Sequence, residues 1–521
     1  MAPFTFLQSN WIKCFEMRCE FVWLSDNFLR VMKIVFNQWF GLIFTLVIIG
    51  AFEGNAASPK YNVLFIAVDD LRPELGCYGH PLVKSPNIDR FAASGLQFNR
   101  AYCQFALCNP SRSSLLSGRR PETLKVFDLA TFLRKNNPDL ITLPQLFKQN
   151  GYESRSYGKV FHITNGNHED DESWSVPAWH SLRDDVKKSS ATKPAAKPKK
   201  IEIDPDGADH KDELPYESPD VADDKMVDGQ IANAAIRALR ELKDKPFFLG
   251  VGFHRPHLPF IVPKKYWDLY DPKTIRLAPN PFLPKDAPAF ASNDAGELRR
   301  YKGVPAEGPI SEAEALKLVQ GYYASVSFTD AQFGKLLNEL ENLGLREKTI
   351  VILWGDHGYQ LGEHATWTKR TNWEIATRVP LLFSAPNQKA TNRRTDALIE
   401  FVDIFPTLSE LCRLPIPAGL EGTSFVPLLN NPQRTWKSAA FSIYAKPIPE
   451  LGKGFGRAMR TERYRFIEWS APGNEKRVYE LYDHQSDPQE NVNIANLPKN
   501  KDLIATLSKQ LQAGWKGALP K

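Results

Sequence analysis

Four short runs, at residues 63–68, 247–253, 350–354 and 379–383, are almost wholly apolar, and they constrain this chain more than any other feature. A run with no polar alternation is buried on both faces, as in parallel sheets covered by helices. Between them lie segments with apolar residues at helical spacing, the clearest at 86–94, 143–150, 226–242 and 313–343. The alternation predicts an α/β fold built on a large mixed, mostly parallel sheet flanked by helices. After about residue 415 the pattern changes to short strands, such as 439–444 and 464–468, with a helix near 503–515. That change predicts a smaller C-terminal α+β subdomain.

The length, 521 residues, exceeds one ordinary core. The expected organisation is an N-terminal extension with a signal peptide at 1–57, a main domain at 58–414 and a subdomain at 415–521. The run at 39–52 follows Lys33 and precedes Gly54-Asn55-Ala56-Ala57, the order of a secretory signal. It is short for a membrane span. Met32 opens such a signal better than Met1 does. Export to the periplasm or beyond is therefore expected, with no stable membrane span after cleavage. Residues 184–224 are poor in apolar side chains and read as a mobile insertion. A second polar, Pro-rich stretch covers 272–309.

The net charge of +6 sits largely in a Lys-rich stretch at 187–200 and says little about the folded surface. No zinc-finger spacing, basic helix or RNA-binding aromatic pattern points to nucleic acid. Of six cysteines, Cys14 and Cys19 precede the expected cleavage. Cys77, Cys103, Cys108 and Cys412 are too few for a disulfide scaffold.

Charged groups follow the apolar runs directly. Asp69-Asp70 follows 63–68, His254 follows 247–253, and Asp356-His357 follows 350–354. Sites in open α/β sheets form at the carboxyl ends of strands, so these groups are placed to converge. Aspartates are hard oxygen ligands for calcium or magnesium, and a cation relieves the repulsion of adjacent carboxylates. His357 taken alone suggests zinc instead. The plainer reading is acids at a turn. In Cys108-Asn109-Pro110-Ser111-Arg112-Ser113-Ser114-Leu115-Leu116-Ser117-Gly118-Arg119-Arg120, Pro110 suits a first helical turn and Gly118 a helix end. Cys108 is then at a helix N-terminus with Arg112 one turn on. By physics alone that arrangement reads as an activated cysteine beside an anionic substrate.

The Cys108-Asn109-Pro110-Ser111-Arg112…Ser117-Gly118-Arg119 segment resembles the modification site of type I sulfatases, in which the cysteine becomes formylglycine. The resemblance spans about residues 60–490 and is closest to the iduronate-2-sulfatase branch. It is carried further by Val68-Asp69-Asp70-Leu71-Arg72-Pro73, Gly158-Lys159-Val160-Phe161-His162, His254-Arg255-Pro256-His257-Leu258-Pro259 and Asp356-His357-Gly358-Tyr359-Gln360-Leu361-Gly362-Glu363-His364. It implies an alkaline-phosphatase-like sulfatase fold and a sulfuric ester hydrolase of sulfated sugars. One calcium ion would be bound by Asp69, Asp70, Asp356, His357 and the modified Cys108. Arg112 and Lys159 would hold the formylglycine hydrate. His162 would take its proton, breaking down a covalent enzyme-sulfate intermediate. His254 and Lys369 would grip the sulfate, with His254 a candidate acid. His257 and His364 are either catalytic or structural.

The implied partners are a sulfated saccharide, of a glycosaminoglycan or similar uronate polysaccharide, and a formylglycine-generating maturation enzyme. Three other functions share these residues: a sulfatase for another polysaccharide or a small sulfate ester, a phosphonate or phosphate monoester hydrolase, and an inactive sulfated-glycan binder. Residues 184–224 depart from the family in composition, and the C-terminal part matches only in short pieces such as Glu480-Leu481-Tyr482-Asp483.

Overall fold

Strand β1 (Asn62–Val68) is buried at every position, and its two faces feed two different cores. Leu64, Ile66 and Val68 join one core, while Val63, Phe65 and Ala67 join the other. Side chains alternate along a strand, so a run apolar throughout needs cover on both sides. The computed structural model describes residues 60–163, 169–181, 210–293 and 296–520, which fall in one compact unit beginning at Lys60. The expected signal at 39–52 and the Lys-rich stretch at 187–200 lie outside the described residues.

The main sheet also contains β2 (Leu96–Tyr102), β3 (Glu153–Gly158), β5 (Phe247–Phe253), β7 (Thr349–Gly355), β8 (Arg378–Ser384), β9 (Arg393–Thr395) and β10 (Ile399–Glu400). A separate two-stranded ribbon pairs β4 (Tyr216–Glu217) with β6 (Phe260–Ile261). The main order is β10-β2-β8-β7-β1-β5-β3, with β9 beside β2. The four apolar runs are β1, β5, β7 and β8. Strands β7, β1, β5 and β3 are adjacent and parallel; β8 runs antiparallel to both neighbours. This is the expected large mixed, mostly parallel sheet.

Helices cover both faces. On one lie α1 (Pro86–Ala93), α4 (Val227–Leu242) and α5 (Glu312–Asn342), through Ile88, Ile231, Leu239, Leu318 and Leu336. On the other lie α2 (Cys108–Ser117) and α3 (Leu143–Gln149), through Leu115, Leu116, Leu146 and Phe147. Four of these match the predicted helices within a residue or so. Phe65 packs between Phe248 and Trp354 at ring separations of 5.5 and 5.4 Å. Truncating such a residue to alanine costs about 3–5 kcal/mol.

The C-terminal region is an antiparallel meander, β11 (Ala439–Ile448), β12 (Gly452–Thr461), β13 (Tyr464–Ser470) and β14 (Val478–Asp483). Helix α6 (Lys501–Gly517) lays Leu507 and Leu511 on Met459, Phe466 and Leu481. A buried charge cluster ties the meander to the main sheet. Glu400, at the end of β10, accepts from both terminal nitrogens of Arg120 at 2.8 and 2.9 Å and from Lys437 at 3.0 Å.

Most of the expected mobile insertion at 184–224 lies outside the described residues, but its end is tied down. Tyr216–Glu217 forms β4, and buried Asp223 accepts from Tyr266 at 2.9 Å and Gln332 at 3.1 Å. Within the Pro-rich stretch at 272–309, Pro272–Thr274, Ala289–Ala291 and Leu298–Arg300 form short 3-10 turns. Cys77, Cys103, Cys108 and Cys412 are all free and buried.

Candidate active site

Four parallel strands end on one rim, and each delivers polar side chains. Val68 is in register with Gly355 and with Phe253, and Gly158 with Gly252. The next residues are therefore neighbours: Asp69-Asp70, Asp356-His357, His254 and Lys159. Close approach at this rim depends on small residues. A Cβ on Gly252 would lie 2.0 Å from the carbonyl oxygen of Lys159, and Gly158 has φ +77.

Helix α2 brings Cys108 to the same place as its first residue, with Gly118 closing the helix in the left-handed conformation at φ 64. All ten residues of α2 are buried. Ligating atoms of Cys108, Asp356 and His357 lie within 4.8 Å of one another, and so do those of Asp69, Asp70, Cys108 and His257. Nε2 of His357 is 3.2 Å from Sγ of Cys108. Nδ1 of His357 faces the carbonyl of Gly358 at 3.0 Å and must donate to it, so Nε2 carries the lone pair towards Cys108.

Arg112 lies beneath this cluster. Its Nε donates to Asp356 and its Nη2 to Asp69, both at 2.9 Å, and Nη1 donates to the carbonyls of Lys159 and Val160. Arg112 thus clamps two aspartates on the side of α2 that carries Cys108. Lys159 donates to the other Asp69 oxygen at 2.7 Å. Lys369, fully buried, donates to Asp70 at 3.1 Å and to Nε2 of His257 at 3.1 Å.

Burial opposes ionisation of Asp69, but Lys159 and Arg112 outweigh it and hold its carboxyl well below the usual range. Asp70 goes the other way. Burial, reinforced by Asp69, Glu297 and Asp356 against the pull of Lys369, raises it well above the usual carboxylate value. Oδ1 of Asp70 also has no hydrogen-bond partner. An excess of buried carboxylate and an unsatisfied oxygen aimed into the cluster are what a hard divalent cation would resolve. The residues present fit that group. Burial, with Asp69 and Asp356 adding to it, pushes the Cys108 thiol well above its usual value despite Lys159. Burial and the surrounding carboxylates thus oppose the pull that a helix N-terminus exerts towards the thiolate.

The remaining expected residues divide. His254 is 8% exposed at the rim, and burial together with Lys159 keeps its imidazole neutral, well below the usual value. His162 is buried on the loop after β3, three residues past Lys159. His257, either catalytic or structural on sequence grounds, belongs to the cluster. His364 does not: its ring packs on Trp373 at 4.7 Å, and its backbone N–H donates to the carbonyl of Asn280.

Two site residues had no sequence signal. Asp228, in the first turn of α4, accepts the backbone N–H groups of His254 and Arg255 at 2.9 and 2.8 Å. Glu297, beside the Leu298–Arg300 turn, reaches Lys369 at 2.9 Å.

The sulfatase family model matches residues 61–413. The chain belongs to the sulfatase family. A second model, described as the C-terminal region of N-sulphoglucosamine sulphohydrolase, matches residues 362–516 of this sulfatase. The protein is 35% identical to the iduronate 2-sulfatase of Mus musculus, covering 89% of this chain and 96% of the mouse protein. It is 34% identical to that of Homo sapiens, over 90% and 98%. A phosphonate monoester hydrolase structure from Silicibacter pomeroyi superposes with a TM-score of 0.70 at 20% identity, covering 88% of this chain and 96% of that one. At that identity the likeness shows the alkaline-phosphatase-like fold alone.

Proposed function

We propose that this sulfatase hydrolyses a sulfate ester of a sulfated saccharide, an iduronate-type uronate 2-sulfate at a glycosaminoglycan-like chain end. The observation that carries the reading is the convergence of Asp69, Asp70, Asp356 and His357 on Cys108, beneath a rim of Lys159, Lys369 and His254. The iduronate 2-sulfatases of mouse and man, aligned over nearly their whole length, support the choice of sugar.

Asp69, Asp70, Asp356 and Nε2 of His357 would hold calcium, which supplies Lewis acidity and neutralises charge on the sulfuryl oxygens. Conversion of Cys108 to formylglycine by a maturation enzyme would give an aldehyde that takes up water, and a hydroxyl of that hydrate would be the oxygen nucleophile that a cysteine side chain does not offer. Arg112 fixes the spacing of Asp69 and Asp356, so the cluster needs no rearrangement when charge develops. Lys159 and Lys369 orient the sulfate oxygens. His254, neutral in the free site, donates a hydrogen bond to the bridging oxygen, and the arriving anionic group raises its proton affinity for protonating the leaving alcohol. His162 is the proton acceptor on the nucleophile's side. Nearly complete burial of these groups excludes bulk water from the reacting centre.

The 39–52 pattern supports an exported protein. Among the described residues no helix is long and apolar enough to cross a membrane.

The test is sulfate release by protein made with its maturation machinery, on defined sulfated oligosaccharides from heparan, dermatan and algal sources. Release from uronate 2-sulfates is expected. Release confined to other sugars would remove the iduronate assignment and leave the sulfatase one; no release from any, by protein shown to be matured, would remove both.

A further inference from the structure

Glu297 has no role in the chemistry above, yet it is built into the site. It is 2% exposed, its Oε2 lies 2.9 Å from Nζ of Lys369, and its Oε1 lies 3.4 Å from Nε2 of His257. Apart from these two contacts, neither oxygen has a hydrogen-bond partner. Lys369 already has a carboxylate in Asp70 at 3.1 Å, so Glu297 is not needed to compensate that ammonium. Burying an extra carboxylate where an anion must bind costs stability and weakens the attraction for any anion. It becomes useful if the site must limit how much negative charge it accepts.

The chemistry of the proposed reaction sets such a requirement. A sulfate monoester carries one negative charge, while the inorganic sulfate released carries two. A phosphate monoester near neutral pH carries between one and two. A fixed carboxylate repels a dianion twice as strongly as a monoanion. At separations of several ångströms and the effective dielectric of such sites, each unit of ligand charge is worth on the order of tenfold to a hundredfold in affinity.

We propose that Glu297 sets the charge selectivity of the sulfate seat, tempering Lys369 so that singly charged sulfate esters are held and doubly charged tetrahedral anions are expelled. This rests on the sulfatase reading of the site. It gives Glu297 two effects: it speeds release of the sulfate product, and it discriminates against phosphate esters that the shared fold would otherwise accommodate.

The experiment compares matured wild-type protein with Glu297→Gln and Glu297→Asp, using inorganic sulfate and sulfamate as competitive inhibitors of sulfate release. The two anions are tetrahedral and similar in size but differ by one unit of charge. Glu297→Gln is expected to strengthen inhibition by sulfate relative to sulfamate by about tenfold or more. Glu297→Asp, which keeps the charge, is expected to hold the wild-type ratio within about threefold. An unchanged ratio in Glu297→Gln, or equal shifts in both variants, would overturn the proposal, because shape and not charge would then be at work. If matured wild-type protein releases no sulfate from any substrate, the sulfatase reading fails instead. Calorimetric binding of the same two anions then decides on Glu297 alone: a ratio moved by Gln and kept by Asp supports the charge role, and any other pattern overturns it.

Discussion

Nε2 of His357 lies 3.2 Å from Sγ of Cys108, while its Nδ1 is committed to the carbonyl of Gly358. The imidazole is thereby fixed with its lone pair turned into the carboxylate cluster, whatever replaces the sulfur. A ligand oriented in advance by such a bond contributes more than its charge alone. His357→Ala is expected to weaken calcium binding by about tenfold to a hundredfold, read by calorimetry on the folded protein. Equal calcium affinity in wild type and variant would remove His357 from the ligand set.

Arg112 makes ion pairs with Asp69 and Asp356, all three side chains being fully buried. Arg112→Met keeps much of the volume and leaves both carboxylates without that partner. Removing one partner of a buried ion pair costs about 3–5 kcal/mol. The variant is expected to melt well below wild type in chelator. Calcium is expected to raise its Tm more than it raises the wild-type Tm, because the ion then carries neutralisation that the guanidinium had supplied. Identical melting of the two proteins in chelator would show that the clamp contributes nothing to folding.

How much of this site was legible follows from which forces are local. Strands β1, β5 and β7 were readable because burial on both faces writes a continuous apolar run, and the acids and histidine after them mark the rim. Strand β3 is half-buried at alternate positions, with Glu153 and Arg155 breaking its pattern. Lys159 and His162 therefore entered only through family resemblance. The antiparallel direction of β8 left no trace, since burial does not encode direction. The surroundings of Cys108 were only partly readable, because a helix end is local, whereas Asp69 and Asp356 arrive from 39 and 248 residues away in the chain. Asp228 and Glu297 act through contacts that only the folded chain creates. His364 belongs to a site motif, yet the turn through Glu363–Ala365, with His364 at φ 55, places it against Trp373.

Asp228 holds the loop that carries His254, and one carboxylate serves two backbone donors, His254 and Arg255. Burial raises its carboxyl to about 6 even though Arg255 and these two bonds favour the charged form. Asparagine at this position keeps one acceptor and turns an NH2 group towards the other donor. Asp228→Asn is expected to lower kcat by about tenfold or more while costing about 1–3 kcal/mol in stability. Steady-state kinetics beside thermal melting separate the two effects. A fall in Tm with unchanged kcat would make Asp228 a structural residue only.

The Glu400 cluster predicts how the protein yields to acid. Burial opposes ionisation of Glu400, but Arg120 and Lys437 outweigh it and hold the carboxyl at about 2, against 4.5 for an ordinary glutamate. Because the folded value is the lower one, the unfolded chain takes up this proton first as pH falls. The contribution of Glu400 is therefore intact above about pH 4.5 and is lost progressively down to about pH 2. Asp403, bonded to Lys437 at 2.6 Å, is shifted upwards by burial and by Glu400, which offsets part of the effect. The net loss across that window is expected to be of order 1–3 kcal/mol. Glu400→Gln pairs less well with Arg120 and Lys437, so it is expected to be less stable near neutral pH. Having no proton to take up, it is also expected to lose less on going from about pH 5 to about pH 3. Urea midpoints at those two values for both proteins provide the check. Parallel losses in the two would mean that the junction between the main sheet and the C-terminal meander is not what acid weakens first.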